Sequence, residues 1–287
     1  MTDRWARWLL ERRHGGDKAF LAETLDMLGP IRDRVLDNAR IAAGDRVLDV
    51  GCGDGLLGFA AAERAGTVVF ADISADLVRR CRELAAELTA ELTPAAACEF
   101  VQTALPELAG IPDASVDVAM TRSVLIYLED KAAGLAGIFR VLRPGGRLSI
   151  FEPINRFNLG VKDFGFDVTG CEQVVAKVWD GVAAASATLV DFDERDLLRW
   201  AGEAGFTELR LTYEARVDVP AKHRVRDWDA FIRSAPNPNA PTVAEILQTR
   251  LDQAERDAFT ACLRPQLEGG PQRDRMAVAY LSATRPA

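Results

Sequence analysis

Residues Val47-Leu48-Asp49-Val50-Gly51-Cys52-Gly53-Asp54-Gly55 run from an apolar stretch into three glycines at alternate positions, with helix-forming Leu56-Leu57-Gly58-Phe59-Ala60 behind them. Such a stretch predicts a buried parallel strand that turns tightly into a helix. Glycine tolerates positive φ and carries no Cβ, so the backbone can approach a ligand closely, and the helix start offers unpaired N–H groups. The chemistry this suits is the holding of a small molecule. A second candidate is Asp72, which ends the apolar run Thr67-Val68-Val69-Phe70-Ala71 twenty-one positions after Gly51. A carboxylate at that strand end can accept both hydrogens of a ribose diol. NAD-binding folds use the same device about twenty residues on, so Asp72 supports an adenosine-containing ligand without choosing which. The glycine spacing is more selective: a dinucleotide turn places glycine at the first, third and sixth positions, and Leu56 occupies the sixth here.

Groups able to take up a proton from a reacting hydroxyl or acidic carbon are His14, His223, Tyr127, Glu152 and Asp163. Each also has an ordinary structural use: Tyr127 as wall packing, Glu152 as a hydrogen-bonded strand-end acid, Asp163 as a solvated loop acid, His14 in a helix cap and His223 on the surface. Five cysteines, Cys52, Cys81, Cys98, Cys171 and Cys262, contain no C-x-x-C pair. With only two histidines, no metal-site spacing arises, and free thiols or buried small hydrophobes are expected. Cys52, inside the glycine loop, is expected to pack.

These residues need a scaffold of alternating strands and helices. Ser74 is placed to cap a helix over 75–88, Glu99-Phe100-Val101-Gln102 forms a third strand, and Asp117-Val118-Ala119-Met120 a fourth. The fourth leads through Thr121-Arg122-Ser123-Val124-Leu125-Ile126-Tyr127-Leu128 to a helix over 131–142. Val141-Leu142-Arg143-Pro144-Gly145-Gly146-Arg147-Leu148-Ser149-Ile150-Phe151 then reads as a helix end, a turn and a fifth strand. A crossover helix over 193–204, a sixth strand over 206–219 and a seventh over 276–283 follow. Residues 3–39 predict two or three short amphipathic helices, with Trp5, Trp8 and Leu9 on one face and Pro30 starting the last. Between the first two, Arg12-Arg13-His14-Gly15-Gly16 fits a helix C-cap or part of a lid, and the cap is favoured. Residues 220–275, mostly helical with Trp228, Phe231, Ile232, Ile246, Leu247 and Leu251, insert before the last strand, and Ser234 to Pro241 is a rigid loop.

Asp49, Gly51, Gly53 and Gly55, followed in register by Asp72, the fourth-strand end and Leu142-Arg143-Pro144-Gly145-Gly146-Arg147-Leu148, resemble the class I S-adenosyl-L-methionine (SAM) dependent methyltransferases. The likeness is to the small-molecule type of the ubiquinone/menaquinone-biosynthesis group. It is strong over about 41–155 and weak elsewhere. One departure stands out, since Thr103-Ala104-Leu105 occupy the place where the family commonly has an adenine-binding aspartate. The resemblance implies an α/β fold: a Rossmann-like seven-stranded sheet with helices on both faces. It also implies an N-terminal helical lid (1–40), a core (41–219 and 276–287) and a helical cap insertion (220–275). The implied cofactor contacts are Asp49, Gly51, Gly53, Gly55, Asp72, Ile73, Thr103, Ala104, Arg122 and Ser123. The implied reaction is methyl transfer to O, N or C of a small, partly apolar metabolite, in secondary metabolism. The alternative is a SAM-binding catalyst that does not methylate, of cyclase or pericyclase type.

Composition bears on partners. With 35 Lys and Arg against 43 Asp and Glu, the chain has a formal charge of −8, the wrong balance for a duplex binder. The basic cluster Lys222-His223-Arg224-Val225-Arg226 reads as a solvated helix start or carboxylate clamp. No apolar stretch is long enough to span a bilayer, and the N-terminus is too charged for a secretory signal. The expectation is therefore a cytoplasmic monomer or homodimer with a small-molecule acceptor, and no nucleic-acid, membrane or metal partner.

Overall fold

A computed structural model of the chain describes residues 2–91, 96–158, 165–183, 185–220, 225–269 and 273–287. Asp163, Phe164, His223 and most of the basic cluster after residue 221 lie outside the described residues.

The chain opens with a short helix α1 (Arg4–Arg7) that continues as a π-turn over Trp8–Arg12, followed by α2 (Lys18–Ala39). Strands and helices then alternate: β1 (Arg46–Val50), α3 (Leu56–Ala62), β2 (Thr67–Asp72), α4 (Ala75–Glu91), β3 (Ala97–Gln102), β4 (Val116–Arg122), α5 (Lys131–Val141) and β5 (Leu142–Pro153). After β5 come α6 (Glu172–Ala183), α7 (Glu194–Glu203), β6 (Thr207–Pro220), α8 (Trp228–Arg233), α9 (Val243–Arg250), α10 (Gln253–Gly269) and β7 (Arg273–Thr284). The seven strands form one sheet in the order β3-β2-β1-β4-β5-β7-β6. The first five are mutually parallel, and β7 runs antiparallel to both β5 and β6. In the β6–β7 pair the register extends to Pro220 opposite Arg273.

Period-two alternation divides the strand side chains between two cores. Val47 and Phe70 pack with Val35 and Leu36 of α2 on one face. Leu48 and Val69 pack with Ile138 of α5 and Leu197 of α7 on the other. A third cluster joins Val178 of α6, Trp228 of α8, Ile246 of α9 and Phe259 of α10, outside the sheet. Helix starts are set by short polar side chains. Asp17 accepts from the N–H groups of Ala19 and Phe20 at 2.9 and 3.0 Å, and Thr242 with Glu245 forms a capping box at α9.

Three expectations are corrected. Pro30 does not begin a helix but lies inside α2. Leu28 before it and Val35 and Leu36 after it are all buried, and each such burial contributes roughly 1.5–3 kcal/mol. Together they offset the ~3 kcal/mol cost of an interior proline. The N-terminal segment is thus one short and one long helix. The cysteines are not all free thiols, because Cys171, just before α6, forms a disulfide with Cys262 of α10. Packing of the third cluster brings their Cα atoms to 6.6 Å across a sequence separation of 91, which local spacing cannot reveal. Finally, the Arg12–Gly16 segment is more than a cap. The Arg12 carbonyl accepts from Ala235 N at 3.0 Å and the Gly15 carbonyl from Arg233 Nε at 3.2 Å. A Cβ at Gly15 would lie 1.9 Å from the Ala230 carbonyl oxygen, so only glycine permits this docking. Among the described residues no helix is long and apolar enough to cross a membrane.

Candidate active site

The site forms where the sheet order reverses, at the C-terminal ends of β1, β2 and β4. From β1 the chain enters the glycine loop with φ of +67° at Gly51, +56° at Gly53 and +89° at Gly55. The N–H groups of Gly51 and Cys52 both donate to the Ala71 carbonyl, at 2.7 and 3.0 Å, which folds the loop back over β2. A Cβ on Gly51 would lie 2.4 Å from Cγ2 of Val124. Glycine there leaves a cradle that any other side chain would fill. Beneath the loop Asp49 accepts from Gly58 N at 2.8 Å, and burial pushes its carboxyl up to about 7.

Asp72 organises the second strand end. Its two oxygens accept from Gly53 N at 2.9 Å and Ser74 N at 2.8 Å, each keeping lone pairs for a further donor. Burial raises the carboxyl above its usual range, the two N–H bonds opposing it. Ser74 caps α4 through a bond from Leu77 N at 3.1 Å and donates to Asp3 at 2.6 Å, tying the start of the chain to this strand end. Thr103, after β3, is buried with its hydroxyl unpartnered among the described residues. Because Thr103 lines the cavity, its hydroxyl can bond a ligand or a water held there.

At the end of β4 Arg122 enters the cavity and Ser123 takes φ +56°. Burial is the main cause of the lowered pKa of Arg122. The loop that follows is pinned by Glu152 of β5, which accepts from the N–H groups of Val124 and Leu125 at 2.9 Å and Ile126 at 3.4 Å. Burial lifts that carboxyl to about 7. Tyr127 then stands edge-on to Trp5 and Trp8, with ring centroids at 5.1 and 6.0 Å. Trp8 Nε1 donates to the Ala235 carbonyl at 2.8 Å and joins the first helical turns to the insertion between β6 and β7.

These elements enclose a cavity of about 580 Å³. Of the ten residues expected to touch a cofactor, all but Gly55 line it. Of the proton-transfer candidates among the described residues only Tyr127 does so, and burial pushes its phenol up to about 12. Glu152 is fully buried behind the wall. His14 lines an adjoining cavity, where burial and the Arg13 charge depress its pKa to about 4. Sequence reasoning missed Arg13, Asn155 and the Ala235–Pro236 turn as cavity walls. The Trp5 and Trp8 pair, three positions apart on a helical turn, was the signal that this segment has a buried face.

The methyltransferase domain family matches residues 48–150, from β1 through β5. The ubiquinone biosynthesis O-methyltransferase of Pseudomonas fluorescens is 30% identical over 193 residues, covering 65% of this chain and 76% of that protein. The chain belongs to the class I SAM-dependent methyltransferases. As a methyltransferase it takes SAM as cofactor, and the glycine cradle, the lone pairs of Asp72 and the unpartnered Thr103 hydroxyl suit that molecule. The solved structure of geranyl diphosphate methyltransferase in complex with SAM is similar in fold at 17% identity and a TM-score of 0.54, covering 99% of this methyltransferase and 95% of that chain. The structure of the cyclase SpnF is similar in fold at 22% identity and a TM-score of 0.52, covering 90% and 80% of the respective chains.

Proposed function

We propose that this methyltransferase transfers a methyl group to O, N or C of a small, partly apolar metabolite, in secondary metabolism, and works as a monomer or homodimer. The supporting observation is the cavity of about 580 Å³, lined by the glycine loop and by Trp5, Trp8, Tyr127 and Pro236. A cavity of that size holds small ligands.

In this reading Asp72 takes the ribose hydroxyls, Gly51 and Gly53 admit the amino-acid part against bare backbone, and Gly55 shapes the turn from outside the wall. Ile73, Thr103 and Ala104 flank adenine, and the Thr103 hydroxyl replaces the family's aspartate as its polar contact. Asp49 holds the loop from below through Gly58. Arg122 and Ser123 face the amino-acid part, with Arg122 taking its carboxylate. Residues 1–40 act as lid, 41–219 and 276–287 as core and 220–275 as cap.

SAM supplies an electrophilic methyl on a sulfonium, displaced in line by an acceptor lone pair. The chain's own contribution is to align acceptor with methyl and to exclude water from the reacting atoms, a task to which the aromatic side chains lining the cavity are suited. Tyr127 keeps its proton at neutral pH and positions, and Glu152 is committed to three backbone N–H groups. The reading therefore assigns no general base among the described residues. It is tested by incubating the protein with SAM and a broad panel of small acceptors and following S-adenosylhomocysteine. Methylation of a peptide or protein alone would overturn the acceptor class, and conversion of an acceptor without S-adenosylhomocysteine would favour a non-methylating catalyst.

A further inference from the structure

Among the described residues three arginines line the main cavity without a carboxylate partner: Arg4, which is exposed to solvent, and Arg13 and Arg122. Arg122 ends β4, and Arg13 sits in the turn between α1 and α2. Among the described residues neither guanidinium meets a carboxylate within 4.0 Å. Arg13 instead lies over the Trp8 ring, 5.6 Å from its centroid. The charge of Arg13 also opposes protonation of Arg122, so the two cations face one field. Asp54 acts on Arg122 and on His14 through space but closes no ion pair with them. Part-buried cations that line one cavity are stabilised by an anion held between them. SAM brings one carboxylate, which the reading above places at Arg122, and Arg13 remains unanswered.

The position of Arg13 says what should answer it. Arg13, Ala235 and Pro236 line both the main cavity and a second one of about 350 Å³. Phe20, Phe166, Trp179, Phe231, Val243 and Leu267 give that chamber apolar walls. Among the described residues its one other ionisable wall group, His14, is held neutral at pH 7. Among the described residues Arg13 is thus the one permanent cation that lines both the apolar chamber and the cavity of the glycine loop.

We propose that the methyl acceptor is an amphiphilic organic acid, whose carboxylate or phosphate oxygens meet Arg13 and whose apolar body fills the second chamber. Charged hydrogen bonds to guanidinium fix the anion, and apolar burial holds the rest. The inference rests on the proposed cofactor pose, in which Arg122 is already engaged.

The test titrates the full chain, saturated with S-adenosylhomocysteine, with decanoate, decyl phosphate, decanol, decylamine and propionate in a calorimeter. One of the two decyl acids should bind at least about tenfold more tightly than decanol and decylamine, and the stronger identifies carboxylate or phosphate. Decanoate should exceed propionate by about tenfold or more through the chamber. Arg13→Met should reduce the preference for acid over alcohol to about twofold or less, while Arg13→Lys keeps most of it. Equal binding of acid and alcohol, no binding of any decyl probe, or an unchanged preference in Arg13→Met would overturn the proposal. S-adenosylhomocysteine affinity separates the two readings. Its loss in the unmodified protein would break the cofactor pose, whereas its retention without acid preference would refute the acceptor class alone.

Discussion

Trp8 and Ala235, 227 positions apart in sequence, are joined by a 2.8 Å hydrogen bond from the indole Nε1 to the carbonyl oxygen. Through it the first turns of the chain are tied to the insertion before β7, and both segments line the same cavity. Trp8→Phe keeps the ring against Tyr127 and removes the bond, leaving a buried carbonyl unpaired. The protein should lose about 1–2 kcal/mol of stability. Amide exchange in residues 4–12 should quicken several-fold, which hydrogen–deuterium exchange measures directly.

Asp72 is expected to carry the ribose contact while also holding Gly53 N and Ser74 N. Asp72→Ala should weaken S-adenosylhomocysteine binding by roughly 1.5–3 kcal/mol, through lost charged hydrogen bonds. Asp72→Asn, which keeps one acceptor oxygen, should weaken it less. Calorimetry on folded variants decides the matter, and unchanged affinity in Asp72→Ala removes the residue from the site.

Gly51 combines φ +67° with a Cβ position 2.4 Å from Val124. Gly51→Ala should cost roughly 1–2 kcal/mol from backbone conformation alone, before the clash is counted. Cofactor affinity should fall sharply. Adding Val124→Ala relieves the clash but not the φ strain, so thermal denaturation of the double variant should show only partial recovery.

His14 is held at about 4 in the fold against 6.5 when unperturbed. The fold keeps the neutral imidazole, so its stabilising contribution is complete above pH 6.5 and is lost as pH falls towards 4. Asp49 and Glu152, both raised to about 7, work in the opposite sense, because the fold favours their protonated forms. The informative quantity is therefore the difference between the unmodified protein and His14→Gln. That difference should shrink on acidification through this window in urea titrations, since the variant has no imidazole to protonate.

Much of the core was legible because its determinants are local. The apolar run into Gly51, Gly53 and Gly55, the strand end at Asp72 and the Leu142–Leu148 turn each declare themselves within a few residues. Asp193, expected to begin a crossover helix, does cap α7. What escaped depends on contacts distant in sequence. The bond from Ser74 to Asp3, the Cys171–Cys262 disulfide and the placing of Arg13 and Arg122 on one cavity are set by how whole elements pack. Pro30 misled for a related reason: its local signal for a helix start is overridden by burial on both sides. Thr103 was legible as a departure, and its unpartnered hydroxyl gives that departure a physical meaning.

The register that sets Pro220 opposite Arg273 brings the two entry points of the β6–β7 insertion to neighbouring positions on adjacent strands. Such an insertion can be exchanged, lengthened or replaced by a tight hairpin turn without moving any strand of the sheet, although it leaves the sheet at the same end as the glycine loop. Acceptor preference can then drift between descendants of one ancestor while cofactor recognition is inherited unchanged. For engineering, that hairpin is the natural seam at which to graft a different wall.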